Sequence, residues 1–345
     1  MEVEYEQLKD TLLPILQCTT CNCDKLELTK ASFEFDMSVP LHREHILCTK
    51  CGARYPITED FIPVMWTPSL QEHLIGQSEK ISVLGANIEL YQVISNHYQH
   101  SRQDPQIALR IRNSAKRIID SYEATDSKYH LDLGCGPGHV LGWLKEFNFL
   151  QVGLDVSIHN LRNARRNTGA VVVCADAVTL PFADKVFDLV TESSVLHHVE
   201  DWKSVVVESC RICKKTGGVL IDSEPSKGRV AWGPLAIAVY NARLPVYKIL
   251  SYIKNNIYFR DRRQTKLNIM AEFHAQPGAG LSMEELRGIF ESACFSVDII
   301  VSPTADLKSV ANSNRKHIVM NLLSGRNPWN PKYGMFTAIA KPASG

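Results

Sequence analysis

Cys18-Thr19-Thr20-Cys21 and Cys48-Thr49-Lys50-Cys51 place four thiols in two Cys-x-x-Cys knuckles separated by strand-like sequence. A tight turn of this kind presents two thiolates to one ion, so Cys18, Cys21, Cys48 and Cys51 are expected to hold one tetrahedral Zn2+. With cysteine at all four positions no coordination site stays open, which makes the metal structural rather than catalytic. Cys23 is a spare thiol beside the first knuckle, but the 18/21 pair has the better spacing. The chain's 10 cysteines do not form a disulfide framework, and the alternative for the knuckles is two unrelated reduced pairs.

A second group is Leu131-Asp132-Leu133-Gly134-Cys135-Gly136-Pro137-Gly138. It reads as a short buried strand, Tyr129 to Leu133, a glycine-rich turn, and a helix from His139 to Phe147. Gly134, Gly136 and Gly138 let the backbone approach a ligand without side-chain clash. Asp132 at the strand end and the free N–H groups at the helix start suit a polar cofactor. Taken alone, the same loop could be an ordinary turn. A third group, Val195-Leu196-His197-His198-Val199-Glu200-Asp201, offers two imidazoles that titrate in the range useful to a general base. The other reading is that both histidines only shape the loop. Glu192 and Glu224 are secondary base candidates.

These groups need elements to hold them. From residue 129 the pattern alternates strand and helix, with candidate strands at 129–133, 151–155, 171–175, 186–191, 217–222, 295–301 and 335–341. Apolar, β-branched strands alternating with helices predict an α/β fold, a Rossmann-like, mostly parallel seven-stranded sheet with helices on both faces. Ligands in such sheets bind at the carboxyl ends of the strands, where Asp132, Asp155, Asp176 and Glu192 fall. A short helix is expected within 1–17, and amphipathic helices within 68–128. The polar patch of His97, Tyr98, His100 and Arg102 ends one of those helices. Cys210-Arg211-Ile212-Cys213 is expected to be core within a helix before the fifth strand. The expected divisions are a zinc-ribbon domain at 1–67, a helical linker and N-terminal cap at 68–128, and the α/β domain at 129–345. Within the last, an apolar then basic cap insertion covers 225–280; Asn312–His317 and Asn327–Pro331 read as ordered loops.

The composition is that of a soluble globular protein, 45% hydrophobic and 22% charged. A formal charge of +1 gives no general pull toward nucleic acid. No signal peptide and no transmembrane run are apparent, so the expected location is cytoplasmic. Arg243, Pro245 and Lys248 interrupt the apolar part of the insertion; an interfacial helix or lipophilic pocket there is one reading and a packed lid the other.

The order Gly134-x-Gly136-x-Gly138 resembles class I S-adenosylmethionine-dependent methyltransferases rather than the dinucleotide fingerprint. The resemblance runs from about 90 to 225 through Gly153–Ser157, Ala175–Ala177, Leu180–Phe182, Phe187–Val190, Val195–Asp201 and Lys215–Ile221. It implies that Asp155, with Val156 beside it, accepts the ribose hydroxyls, and that Asp176 and Ala177 contact the adenine. It further implies that Asp132, Gly134, Cys135, Gly136, Gly138 and Glu192 surround the methionine portion. It also implies that a histidine at the position of His197 works with a tyrosine of the N-terminal helix, Tyr91 or Tyr98, with His198 beside it as a second candidate base, and that the seventh strand is antiparallel. Separately, Cys48–Gly52, Tyr55-Pro56-Ile57 and Ile62-Pro63-Val64-Met65 resemble the small zinc-ribbon activators of tRNA, rRNA and release-factor methyltransferases over 10–67. That likeness implies a platform docked on a methyltransferase domain of the same chain.

The expected function is therefore S-adenosylmethionine-dependent methyl transfer to a small-molecule, lipid- or sugar-linked acceptor. The alternative is an RNA or protein methyltransferase that uses the ribbon as a substrate platform. Against it stand the near-zero charge and Thr191-Glu192-Ser193-Ser194 where an Asn-Pro-Pro-Tyr motif would mark amide or base N-methylation. A third reading is a non-catalytic scaffold.

Overall fold

A computed structural model describes residues 2–30, 39–67, 82–91, 105–120, 128–242, 262–302 and 312–343. Near the N-terminus a short helix, Glu2–Glu6, continues as wider and then tighter turns through Ile15, burying Leu8 and Leu12. Three strands follow, β1 (Leu26–Thr29), β2 (Leu41–Cys48) and β3 (Arg54–Thr58), forming one antiparallel sheet in the order β1-β2-β3.

The larger sheet contains β4 (Tyr129–Leu133), β5 (Leu150–Asp155), β6 (Val171–Cys174), β7 (Phe187–Ser193), β8 (Cys213–Pro225), β9 (Phe295–Ser302) and β10 (Met335–Pro342). Their spatial order is β6-β5-β4-β7-β8-β10-β9. The strands from β4 to β8 pair in parallel, and β10 runs antiparallel to both β8 and β9. The chain steps outward from β4 to β6 and then returns to the other side of β4, so a crevice opens between the ends of β4 and β7. Val171–Cys174 is buried at every position, as expected of a parallel strand covered on both faces.

Local chemistry sets the helix ends. The Ser157 hydroxyl accepts the Asn160 N–H to start the helix Ile158–Thr168, and Gly169 ends it. Asp201 caps Trp202–Ile212 by accepting from Ser204. Gly138, at φ +90°, opens His139–Trp143; a Cβ there would lie 3.0 Å from Ala164 Cα.

The two sheets share a core. Leu8, Leu12, Leu16, Ile46 and Tyr55 join one apolar cluster with Leu131, Val173, Phe182 and Val190. Leu16 bridges Phe182, and Gln17 N–H donates to the Pro181 carbonyl at 2.9 Å. After β3 the chain runs parallel to the free edge of β6: Met65 N–H donates to the Cys174 carbonyl at 2.8 Å, and Cys174 N–H to that of Pro63 at 2.9 Å. That pairing covers an edge that would otherwise expose unpaired backbone groups. Arg162 grips Asp60 with two bonds of 2.9 and 2.8 Å across the same junction.

Two expectations change. Asn312–Leu323 is a helix rather than a loop, because His317 and Met320 pack on Trp232 and Tyr240. Cys213 opens β8 instead of ending the preceding helix, although Cys210 and Cys213 are both buried as expected. Helix is seen at 83–91 and Pro105–Ile119 within the expected helical stretch. His97, Tyr98, His100, Arg102, Arg243, Pro245 and Lys248 lie outside the described residues. Among the described residues no helix is long and apolar enough to cross a membrane.

Candidate functional site

Parallel pairing sets Asp132 of β4 beside Thr191 of β7. The Thr191 hydroxyl donates to Asp132 Oδ1 at 2.7 Å. With that hydrogen used, His130 Nε2–H is the donor in its 2.8 Å contact with Thr191 Oγ1. Asp132 Oδ2 is buried without a hydrogen-bond partner among the described residues. Burial pushes the Asp132 carboxyl up to about 7; the charge of Asp155 adds to the shift and the Thr191 bond opposes it.

Asp155, at the end of β5, receives the Ser157 N–H on Oδ1 at 2.8 Å and the Gly136 N–H on Oδ2 at 2.9 Å. Burial raises it to about 6 despite those bonds. Gly134 sits at φ +59°, and a Cβ there would meet Val195 Cγ2 at 2.6 Å. Only glycine lets the loop after β4 lie flat against the loop after β7.

Between these loops is a cavity of about 340 Å³, within the range of small-molecule pockets. Gly134, Gly136, Asp155, Val156, Asp176, Ala177 and His198 all line it. Asp176 is raised by burial and accepts the Val178 N–H at 3.1 Å. Across the opening, Ser82, Val83, Leu84, Asn87 and Tyr91 supply a wall from the helix at 83–91. Asn87 Nδ2 donates to the His198 carbonyl at 3.0 Å, which ties this helix to the loop after β7.

The turn Leu196–His198 is held from behind. Glu224 accepts the N–H groups of Val195, Leu196 and His197 at 2.6, 3.0 and 3.1 Å, and His197 Nδ1–H at 2.8 Å. His198 Nδ1 lies 2.7 Å from the Ala271 carbonyl, which can only accept, so His198 carries its proton on Nδ1. Its Nε2 lone pair therefore accepts the Tyr91 hydroxyl at 3.2 Å. Burial, then the neighbouring His197, lowers His198 to about 4, so it is neutral near pH 7.

Several expected site residues sit elsewhere. Glu192 does not reach the cavity: strand alternation turns it under the sheet, where Ser209 donates to it at 2.6 Å and burial raises it to about 8. Cys135 and Gly138 face the helix packing behind the glycine turn, and Asp132 lies beneath the cavity lining. Glu224 braces the histidine turn instead of facing the cavity. Tyr98 lies outside the described residues, and Tyr91 meets His198. Asn87, Asn160 and Val178 also line the cavity and were missed. Asn160 was legible in retrospect, one helical turn past the Ser157 cap, while Asn87 gave no local signal.

Cys18 Sγ lies 3.6 Å from Cys51 Sγ, and Cys21 Sγ 3.7 Å from Cys48 Sγ. Both distances match the edge, about 3.8 Å, of a tetrahedron with bonds of about 2.3 Å, and exceed the disulfide length of about 2.05 Å. The four sulfurs thus fit a tetrahedral thiolate metal centre, and Cys23 stands outside the cluster. Burial tends to raise the Cys18 thiol, but bonds from Tyr55 and the Thr20 and Cys21 backbone lower it to about 7.

Residues 131–221 match the family described as methyltransferase domain. The chain carries a methyltransferase domain. An Arabidopsis thaliana tRNA (carboxymethyluridine(34)-5-O)-methyltransferase is 34% identical over 114 residues, 31% of this chain and 28% of that protein. A Corynebacterium urealyticum demethylmenaquinone methyltransferase is 36% identical over 91 residues, 26% of this chain and 39% of that protein. Each match thus spans less than half of the relative's length. Among solved structures, a complex containing the Haloferax volcanii Trm112 methyltransferase activator aligns with a TM-score of 0.45 at 15% identity, over 75% of this chain and 98% of that chain.

Proposed function

We propose that the chain is an S-adenosylmethionine-dependent methyltransferase whose acceptor is a small, lipid- or sugar-linked molecule. The observation that carries this reading is the convergence of Gly134, Gly136, Asp155 and Asp176 on one cavity at the switch point of the sheet. In this reading Asp155 takes the ribose hydroxyls, Asp176 and Ala177 face the adenine, and Gly134 and Gly136 flank the methionine portion. The buried Asp132 Oδ2, without a partner among the described residues, suits its ammonium. The cofactor supplies a methyl already activated on a sulfonium, so the protein's task is to align the acceptor and exclude water. Tyr91 and His198 form the acceptor wall: an acidic acceptor proton passes to the Tyr91 oxygen as the Tyr91 proton moves to His198 Nε2.

The Cys18, Cys21, Cys48 and Cys51 centre is read as Zn2+ that holds the ribbon in shape. Ten unpaired thiols suit a reducing compartment, which favours the cytoplasm. A second reading, transfer to RNA, is favoured by the tRNA-modifying relative and disfavoured by the charge of +1. Transfer of labelled methyl to fractionated metabolite, lipid, RNA and protein pools tests both. Label in the metabolite or lipid pool supports the first reading, label in RNA supports the second, and no label in any pool overturns both.

A further inference from the structure

Side chains alternate along β4, so His130 and Asp132 share one face while Leu131 between them turns to the other. In the neighbouring strand the parallel register sets Leu189 beside His130 and Thr191 beside Asp132. The three polar side chains join end to end: His130 Nε2 lies 2.8 Å from Thr191 Oγ1, and Thr191 Oγ1 lies 2.7 Å from Asp132 Oδ1. His130, Asp132 and Thr191 are at most 1% exposed, in a layer that also holds Leu189 and Phe149. Polar groups buried among apolar ones are costly unless they satisfy one another. One atom at each end of this chain has no partner among the described residues, His130 Nδ1 and Asp132 Oδ2.

Thr191 does not fix the direction of the chain by itself, because its hydroxyl has three acceptors in reach: His130 Nε2, Asp132 Oδ1 and the Leu131 carbonyl at 3.4 Å. We propose that His130 is a positioning residue for the methyl donor: as the Nε2–H tautomer it occupies a Thr191 lone pair, turns the Thr191 hydrogen onto Asp132 Oδ1, and leaves Asp132 Oδ2 to accept from the donor's ammonium. The proposal rests on the S-adenosylmethionine reading of the cavity. The opposite tautomer would draw the hydroxyl hydrogen to His130 and leave both Asp132 oxygens bare. Burial lowers His130 to about 3, so it acts as a neutral donor and not as a counter-charge that would compete with a cationic ligand. The Thr191 bond opposes the burial that pushes Asp132 up, so it makes this carboxyl easier to ionise when the cation arrives. Asp155 and the Cys135 thiol are the titratable groups beside Asp132. Burial holds the thiol well above its ordinary value, which leaves Asp155 as the competing charge.

The test uses the full chain and two readouts. Without ligand, the ring nitrogen resonances of His130 should place the proton on Nε2 and show no titration from about pH 5 to 8. A proton on Nδ1 would overturn the proposal. With S-adenosylmethionine, calorimetry compares Thr191→Val, which lacks the hydroxyl, with Thr191→Ser, which keeps it, each checked by circular dichroism to be folded. Thr191→Val is expected to bind about tenfold more weakly at about pH 6 but only about twofold more weakly at about pH 8, since losing a donated bond makes Asp132 about tenfold harder to ionise. Thr191→Ser should match the wild type at both. His130→Phe, which lets the hydroxyl turn to the Leu131 carbonyl, should show the same pH pattern with a smaller loss. A Thr191→Val deficit of equal size at both pH values, or one that Thr191→Ser shares, would indicate packing alone and overturn the proposal. No binding by the wild-type chain would instead overturn the methyl-donor reading, and with it the ammonium role, while the proton on His130 Nε2 would still be observed.

Discussion

His197 and Glu224 are 27 residues apart in sequence, and Glu224 Oε2 lies 2.8 Å from His197 Nδ1. The same carboxylate accepts three consecutive N–H groups, so one buried side chain fixes both the backbone of the turn after β7 and the orientation of its first imidazole. Glu224→Ala would strand four donors in a site from which water is excluded. The expected loss of unfolding free energy is about 3 kcal/mol, read from the denaturant midpoint. An unchanged midpoint would contradict the bracing role.

Asp155 and Asp176 should separate in calorimetry with S-adenosylmethionine. Asp155→Ala removes a carboxylate read as accepting two hydroxyls and is expected to weaken binding by roughly 10- to 100-fold. Asp176→Ala, read as removing one contact, should cost about tenfold or less. Equal, negligible effects would contradict the assigned orientation of the cofactor.

Cofactor affinity should depend on pH with a definite sign. Asp132 is raised to about 7 and Asp155 to about 6, so the empty site holds protons that a cationic ligand must displace. Affinity is expected to rise from pH 5 to a plateau above about 7, by at most about tenfold per unit for each proton released. Without ligand these raised carboxylates favour the folded state at low pH, and their contribution fades as pH climbs through the same window. His198, lowered to about 4, works oppositely: the unfolded chain binds its proton first, so its contribution is lost as pH falls below about 6.5. Calorimetry in buffers of different ionisation enthalpy measures the protons released on binding.

Gly134→Ala should lose cofactor binding and about 1–3 kcal/mol of stability, because it combines a left-handed φ of +59° with a 2.6 Å approach to Val195. Adding Val195→Ala removes the clash but not the backbone penalty. The double variant should therefore recover part of the lost stability in thermal unfolding. Full recovery would show that φ does not matter there, and no recovery that the contact does not.

Metal removal should be felt beyond the ribbon. Leu16 against Phe182, and Met65 against Cys174, join the ribbon to the larger sheet. Cys51→Ser or a strong chelator is expected to lower the midpoint of the whole chain and to raise hydrogen exchange along β6. A change confined to 2–67 would contradict that coupling.

Much of the sheet was legible because parallel strands buried on both faces leave unbroken runs such as Val171–Cys174, and because glycines and caps punctuate them. The helix Asn312–Leu323 was not legible. Its asparagine-rich start has no apolar period of its own, and packing against Trp232 and Tyr240 decides its conformation. Within the site, Asp155 and Asp176 could be placed from strand ends alone. Glu192, one residue past Thr191, could not, because a period of two decides whether a strand-end carboxylate meets the cavity or the helix behind it.

By itself the sequence determined the donor half of the site: a glycine turn and strand-end acids lie close along the chain, and local backbone geometry holds them. The cysteine knuckles were equally local. Tertiary structure alone decided what surrounds the histidine turn. Tyr91, His198, Glu224 and Glu272 come from four separated stretches, and no sequence periodicity links them. They meet because β7 and β8 end side by side while the cap folds back over the turn after β7.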